Sequence, residues 1–532
     1  MAVITRPDLM PLIIEALDGH GFIGEGDIEE ISLQLRLPAS RVYGFCDQFG
    51  DLPRRPAEIR LSVCAGPSCL AAGALELYDA LREGAPAAVE ISACAGEPRW
   101  HESVAVRVTN GEGVRMVDGL NPADADRLLE MIEGKDLSAY PPLEEVMPQP
   151  VEVPGDGNDS SSAGAGEKMP EGWWSADALR EAAGPAGREI REFLEGSLHP
   201  CAHAEGRPRL LVCDTLGAET EHSADLAATL LFAEEVVAGA AMAAAAYGAG
   251  RLVFYAPWND GASCARLGAV ASRMLDGAGM AHSLFRGPIR VAACPGTGRA
   301  AVVEGTMLWE AAAAGTEAGA GRPWALVIPA GLARRVARNS PTARQAGDGK
   351  RTGALVGAQV RGKPCLLLEA RGEMSVADIA SYVGASSGCK AAYLAGDRNR
   401  VLPADLFSRE GLEGSGKVVF LEEGTCMPRM AALLASHAIG GCCGGCAPGR
   451  TAPAAVSRLI KEIAEGRGGE TAVASLERIV KLAGELALCE KLGRALEPVR
   501  DCLAGFAAEF LSHARGEACP PDHGRASATD GT

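Results

Sequence analysis

At 532 residues the chain is long enough for three or four domains, each with a core of its own. A composition of 47% hydrophobic and 23% charged residues is ordinary for a globular protein. The net charge of −18 argues against nucleic acid or an anionic membrane surface as a partner, because both carry the same sign.

The opening residues, MAVITRPDLM, lack the basic-then-apolar pattern of a signal peptide. The expected location is therefore the cytoplasm, with the chain free or docked on a larger, membrane-associated complex. Residues 8–50 read as three short helices. LMPLIIEALDGHGF has an amphipathic period that ends at Gly21, GDIEEISLQLRL follows with Asp27 as its cap, and Leu37-Pro38-Ala39-Ser40 opens ASRVYGFCDQF. From Ala57 the pattern changes to strand EIRLSVC, helix LAAGALELYDALREG, strand AVEISAC, a hairpin of SVAVRVTNG and EGVRMVDG, and helix DADRLLEMIEG. This βαβ-ββα order, with a Cys ending each of the first two strands, suits a thioredoxin-like domain, and with the helical start it occupies 1–136.

Residues 137–172 are rich in Pro, Gly and Ser without an apolar period and read as a linker. In 173–345 the strands RLLVCD, RLVFYAP, IRVAAC and WALVIPA alternate with helices, giving an α/β domain with a mostly parallel sheet. Its Ala-rich helix at 225–247 contains the longest apolar run in the chain. That run is too short to span a bilayer, so no direct membrane insertion is expected. The basic run Arg334-Arg335-Val-Ala-Arg338 reads as a solvated face. Residues 346–415 are β-rich with one short helix, SVADIASYVG, consistent with a small ubiquitin-like module. Residues 416–515 read as four helical segments that suit a four-helix bundle, and 516–532 reads as a polar tail expected to be disordered. The expected fold class is thus α/β and α multidomain.

The chain has seventeen Cys, which in a reducing compartment suggests metal or redox chemistry rather than disulfides. Cys46, Cys201, Cys213, Cys264, Cys294, Cys365, Cys389, Cys502 and Cys519 are scattered and read as small buried hydrophobes. Two groups are spaced like ligands. The first is Cys64-Ala-Gly-Pro-Ser-Cys69 followed by Cys94 in ISACAGEP, where strand-end thiolates can converge on iron; buried core thiols are the competing reading. The second is Cys442-Cys443-Gly-Gly-Cys446 with Cys489 on a later helix, a C-x-x-C at the mouth of a bundle completed from a distant helix. Such an arrangement holds a 4Fe–4S cluster, with zinc the main competitor. His199 and His203 flank Cys201 in what reads as a polar loop. The turn Gly296-Thr-Gly298-Arg299-Ala-Ala follows a strand; it is a weak phosphate-binding signal beside the plainer reading of a tight turn, with Arg299 placed to meet a phosphate.

Nearly the whole chain resembles a fusion of two subunits of NADH dehydrogenase (complex I) and of the diaphorases of NAD-linked hydrogenases. Residues 8–135 resemble the thioredoxin-like 2Fe–2S subunit. The three-helix start, LPASRVYGF, CAGPSC and the lead-in Gly119-Leu120-Asn121-Pro122 occur in that family's order. The resemblance implies a 2Fe–2S cluster at Cys64, Cys69 and Cys94. Cys94 and Pro98 match the family's second Cys and following Pro, so Glu90 stands where its partner Cys would be and is placed to serve as a non-Cys metal ligand.

Residues 173–512 resemble the flavoprotein, NADH-binding subunit. The best match is VLPADLF…GSGKVVFLEEGTCMPRMAALLASHAIGGCCGGCAPGR, against a segment that in the family ends S-C-G-K-C-x-P-C-R-E-G. By that register Cys443, Cys446 and Cys489 are cluster ligands, Pro448 and Arg450 are kept, and Gly449 takes the third ligand position. Cys442, next to Cys443, is placed to substitute for it. The flavin side departs from the family. The Gly-rich flavin segment has no counterpart, EAAGPAGREIREFLEGS standing there instead. Cys213-Asp-Thr-Leu-Gly-Ala-Glu219 keeps one acidic residue, and Cys294-Pro-Gly-Thr-Gly-Arg299 lacks the two Glu of C-G-E-E-T-A. FMN and NADH therefore have only Glu219, Gly296, Gly298 and Arg299 to contact.

Two functions follow as expectations. One is an NADH dehydrogenase-like redox subunit that passes electrons through a 4Fe–4S or 3Fe–4S cluster, with other subunits of an iron–sulfur oxidoreductase complex as partners. The alternative is a degenerate paralogue serving as a scaffold without flavin or NADH.

Overall fold

A computed structural model of the chain describes residues 9–46, 53–64, 69, 73–94, 104–110, 113–134, 151–153, 184, 187–188, 210–215, 223–257, 261–276, 290–294, 325–341, 353–360, 363, 365–370, 374–396, 399–412, 415–441, 447–486 and 490–517. The chain divides into two compact units, one made of 1–357 with 365–373 and the other of 358–364 with 374–532.

The first unit begins with α1 (Met10–His20), α2 (Glu25–Leu35) and α3 (Ala39–Cys46). Helix α1 ends where the sequence predicts, on Gly21 at φ 78°, a left-handed conformation that Gly adopts without a Cβ clash. Helix α2 corrects one expectation. Its cap is Gly24, and Asp27 is the third helical residue, whose carboxylate accepts the Gly24 N–H at 2.7 Å. This is the reciprocal half of a capping box, which a carboxylate at that position can close and a cap residue cannot.

Next come β1 (Ile59–Cys64), α4 (Ala74–Gly84), β2 (Val89–Cys94), β3 (Val104–Asn110), β4 (Gly113–Leu120) and α5 (Ala125–Glu133), in the βαβ-ββα order predicted. The sheet order is β2-β1-β3-β4, with β1 and β2 parallel and the last two strands antiparallel. Leu61, Val63, Val106 and Val108 meet Leu77, Leu81, Leu128 and Leu129 of the two helices in one core. Asn121 caps the 3-10 turn Pro122–Asp124 that leads into α5, accepting the Ala123 N–H at 3.0 Å while Asp124 accepts the Asn121 N–H. The predicted linker contains a strand, β5 (Val151–Val153), which runs parallel to Leu368–Ala370. Its two valines alternate between flanking prolines, which lack the N–H that a longer strand would need.

The α/β part consists of β6 (Leu210–Asp214), α6 (Ser223–Leu231), α7 (Ala233–Tyr247), β7 (Arg251–Pro257), α8 (Gly261–Ala271), β8 (Arg290–Cys294), β9 (Ala325–Pro329) and α9 (Ala330–Arg338). All four strands are parallel, in the order β8-β7-β6-β9. Both faces are apolar, as a buried parallel sheet requires. Leu211, Cys213, Leu252, Phe254, Leu326 and Ile328 face the helices α6–α9. The alternate residues Leu210, Val212, Val253, Tyr255 and Val327 face Ile13, Ile28 and Val42 of the N-terminal helices and Ile23 between the first two. The helical start, grouped by sequence with the thioredoxin-like domain, thus covers the second face of this sheet.

The Ala-rich helix α7 crosses α9 so closely that a Cβ on Gly239 would lie 1.7 Å from the Ala333 carbonyl oxygen. The basic run on α9 is not a solvated face. Arg334 is 3% exposed, pairs with Glu235 and Glu369 at 3.1 Å each, and lies over the Phe232 ring at 4.1 Å. Arg338 reaches the other oxygen of Glu235 at 2.8 Å. These cations neutralise acidic groups that sequence patterning gave no reason to place in the interior.

Strand β10 (Ala354–Val360) spans the boundary between the units, and β11 (Leu366–Ala370) belongs to the first. The second unit contains α10 (Val376–Tyr382), β12 (Cys389–Gly396), β13 (Arg400–Pro403) and β14 (Ser415–Glu422), with β12 antiparallel to both other strands. Five helices follow: α11 (Met427–Gly441), α12 (Ala447–Ala464), α13 (Gly469–Leu486), α14 (Glu490–Gly505) and the short α15 (Ala507–Ala514). Ala391, Tyr393, Ala395, Val419 and Leu421 of the strands join the helices in a single core, so these strands and the bundle are one packing unit. Among the described residues no helix is long and apolar enough to cross a membrane.

Candidate metal centre

Helices α11, α12, α13 and α14 close a ring in which each packs on the next and α14 returns to α11. The connections are short, 442–446, 465–468 and 487–489, so consecutive helices run antiparallel. It follows that the end of α11, the start of α12, the end of α13 and the start of α14 all lie at one end of the bundle. Cys442, Cys443, Cys446 and Cys489 fall in the two connections at that end and are themselves outside the described residues. Two features of the described helix ends suit an anionic centre. The N-termini of α12 and α14 both open there, each presenting amides and the positive end of a helix dipole. Gly484 and Gly493 also let α13 and α14 approach closely, a Cβ on Gly484 lying 4.0 Å from the Gly493 Cα. Pro448 is the second residue of α12 and Gly449 the third, in the turn where a missing N–H costs no helical bond.

The first Cys group has a different setting. Cys64 and Cys94 are register partners at the ends of the parallel strands β1 and β2. Cys64 and Cys69 are buried, and the Cys94 side chain lies outside the described residues. Glu90 is not brought to these thiols. It pairs with Arg60 in the strand register, four residues before Cys94, or about 13 Å along the strand. Its carboxylate accepts the Arg54 N–H at 2.7 Å and the Arg60 Nε–H at 3.0 Å.

Glu219, Gly296, Gly298 and Arg299 lie outside the described residues, as do His199, Cys201 and His203. The sheet nonetheless locates the place where an open α/β fold receives ligands. Strand order reverses between β6 and β9, and the crevice lies beyond their C-terminal ends. There the N-terminus of α9 is already met by an acid, the Asp225 carboxylate accepting the Gly331 N–H at 2.6 Å. Burial, with Asp225 and Asp214 adding to it, pushes the Cys213 thiol well above its ordinary value. Buried carboxylates thus occupy the neighbourhood where a phosphate would be expected.

Sequence reasoning missed one grouping altogether. Cys426, just before α11, meets Glu509 and His513 of α15, and the three ligand atoms lie within 4.8 Å of one another. Glu509 and His513 are four apart on one helix, a spacing that puts both on the same face and was available as a signal. Cys426 was hidden inside a motif read only for its register.

Residues 429–513 match the model of the NADH-ubiquinone oxidoreductase-F iron–sulfur binding region. A curated relative, the NADP-reducing hydrogenase subunit HndC of Solidesulfovibrio fructosivorans, is 26% identical over 112 residues. That stretch is 21% of this chain and 23% of HndC, so the chain spans about a quarter of its length there. Among solved structures, a chain of the NAD+-reducing [NiFe]-hydrogenase in the air-oxidized state aligns with TM-score 0.71 at 17% identity, covering 96% of this chain and 95% of that one. The H2-reduced state of the same kind of enzyme gives 0.70 at 18% identity, covering 96% and 93%. Residues 429–513 are thus similar to the F-type iron–sulfur binding region of NADH dehydrogenase, and the chain shares the fold of a chain of an NAD+-reducing hydrogenase.

Proposed function

We propose that the chain is an electron-relay subunit of a multi-subunit oxidoreductase of the NAD-linked hydrogenase kind, with an iron–sulfur centre at the mouth of its C-terminal bundle. The observation that carries this reading is topological. The up-down-up-down helices bring the ends flanking Cys442, Cys443, Cys446 and Cys489 to one place, inside the matched region. Cys443, Cys446 and Cys489 would hold a 4Fe–4S or 3Fe–4S cluster, with Cys442 as the further thiolate in place of Gly449. When bound, such a cluster takes up and gives out one electron at a time. The two helix N-termini stabilise its negative charge, and the glycine pair gives the helices room to close around it.

A 2Fe–2S centre in the first domain would have Cys64, Cys69 and Cys94 without Glu90, which is engaged by Arg54 and Arg60. At the crevice of the α/β sheet, Asp225 already satisfies the helix terminus that a phosphate of flavin or NADH would use. This favours electrons arriving from a partner subunit rather than from NADH bound here. The scaffold reading draws on the same two observations and on Gly449.

Iron, acid-labile sulfide and flavin per chain, measured on protein purified without oxygen, decide between them. Three to four iron with sulfide, lost in Cys443→Ser and Cys489→Ser, is the result expected. Iron with flavin would restore NADH oxidation as the activity, and neither iron nor flavin would leave the scaffold.

A further inference from the structure

We propose that Cys426, Glu509 and His513 form a zinc site at the end of the bundle opposite the iron–sulfur segment. The inference stands apart from the proposed electron relay. Helix α11 has 15 residues and is about 22 Å long. Cys426 precedes its first residue and the Cys442–Cys446 segment follows its last, so the two groups cannot share a metal.

The three side chains supply one sulfur, one nitrogen and one oxygen, the donor types of zinc. The Cys426 Sγ and His513 Nε2 are 3.5 Å apart. Zinc bonds of about 2.3 Å to sulfur and 2.05 Å to nitrogen, at a tetrahedral angle, put the two ligand atoms about 3.6 Å apart. The thiol and imidazole therefore already stand at the ligand–ligand spacing.

The surroundings orient each donor as a metal site does. His513 Nδ1 lies 3.3 Å from the Ala464 carbonyl, which can only accept a hydrogen bond. That contact puts the ring proton on Nδ1 and leaves the Nε2 lone pair facing Cys426, the usual support of a metal-bound histidine. Glu509 is held through both oxygens: Oε1 accepts the Met427 N–H at 2.9 Å and Oε2 accepts Lys390 Nζ at 2.6 Å. Lys390 is itself fixed on the Thr425 carbonyl at 2.8 Å. With Cys426 as thiolate, the thiolate, the carboxylate and Lys390 sum to one negative charge, which a divalent ion turns to one positive charge. Three protein ligands leave a fourth position open. The ion would tie α15 to the start of α11, and through His513 to the end of α12.

The test uses the full chain, freed of labile metal with a chelator and purified without oxygen, with Zn2+ alone as probe. Alkylation of Cys426 by iodoacetamide is followed by peptide mass spectrometry with and without one equivalent of zinc. Zinc is expected to slow alkylation of Cys426 at least tenfold in the wild type, and to fail in His513→Gln and Glu509→Gln. Elemental analysis should find one zinc fewer in each variant. Protection should persist in Cys489→Ser, which separates this site from the iron–sulfur segment. An unchanged Cys426 alkylation rate in the wild type would overturn the proposal, and needs no variant to fold. Equal protection in His513→Gln would overturn it as well, because the zinc would then be held by other thiols.

Discussion

Glu90 and Arg60 face each other across the parallel pair β1 and β2, their side chains 3.0 Å apart. Arg60 also donates to the Gly21 carbonyl at 3.2 Å, at the end of α1. Glu90 thereby fastens the helical start to the thioredoxin-like sheet, a structural task rather than a ligand's. Replacing it with Ala should cost about 2 kcal/mol, the range for hydrogen bonds to a charged group. Iron content should be unchanged. Denaturant unfolding and iron analysis on the same preparation check both; loss of iron with unchanged stability would return Glu90 to the ligand set.

Gly239 gives a sharper steric prediction. Its Cβ position lies inside van der Waals contact of the Ala333 backbone, which cannot rotate away as a side chain can. Gly239→Ala should force α7 and α9 apart and destabilise the first unit by about 3 kcal/mol, at the upper end for overpacking. Gly26, with nothing within 4 Å of its Cβ position, is the control and should tolerate Ala. Thermal unfolding of both variants is the measurement, and equal transitions would mean the helices have room to part.

The Arg334 network predicts an asymmetry. Arg334→Ala leaves Glu369 and one oxygen of Glu235 facing the core without their cation, and should cost about 3–5 kcal/mol. Arg334→Met with Glu235→Gln and Glu369→Leu removes these three charges together, keeps much of the apolar stem, and leaves an amide oxygen at position 235 to accept from Arg338. It should recover most of that loss, since buried pairs are often replaceable by apolar groups. Denaturant titration of the single and triple variants decides the matter; a triple variant as unstable as the single would mean that the network is needed for packing.

How much of this was legible in the sequence follows from how local each signal was. Val63, Val106 and Val108 announce their strands by alternation, and Gly21 announces a helix end by its conformational freedom. The four helices around the candidate centre show their period, and their order alone brings the helix ends that flank 442–446 and 487–489 to one end of the bundle. Three things were hidden because they depend on distant partners. Val151 and Val153 read as linker because a three-residue strand exists only through its neighbour, Leu368–Ala370. Arg334 looked solvated because Glu235 and Glu369, which allow it to be buried, lie far off in the chain. Cys426 drew no attention because its partners Glu509 and His513 are more than eighty residues away.

Cys502 supplies a test of the bundle core by pH. Its thiol is buried on α14, and burial, with Asp501 and Glu509 adding to it, pushes its ionisation far above the ordinary 9.0. In the unfolded chain it loses its proton near pH 9, while in the folded chain it keeps it. The folded state therefore binds more protons above pH 9, and stability falls as pH rises, by about 1.4 kcal/mol per pH unit for this thiol. Cys502→Ala should be somewhat less stable at pH 7.5, by about 1 kcal/mol for the lost volume. Above pH 9 its stability should decline more gently than that of the wild type, the difference in slope growing from about half of that value at pH 9 toward the full 1.4 kcal/mol per unit near pH 10.5. Denaturant titrations of both proteins across that range give the two slopes. Equal slopes would mean that water reaches Cys502 in the folded bundle and that α14 is held less tightly than its packing implies.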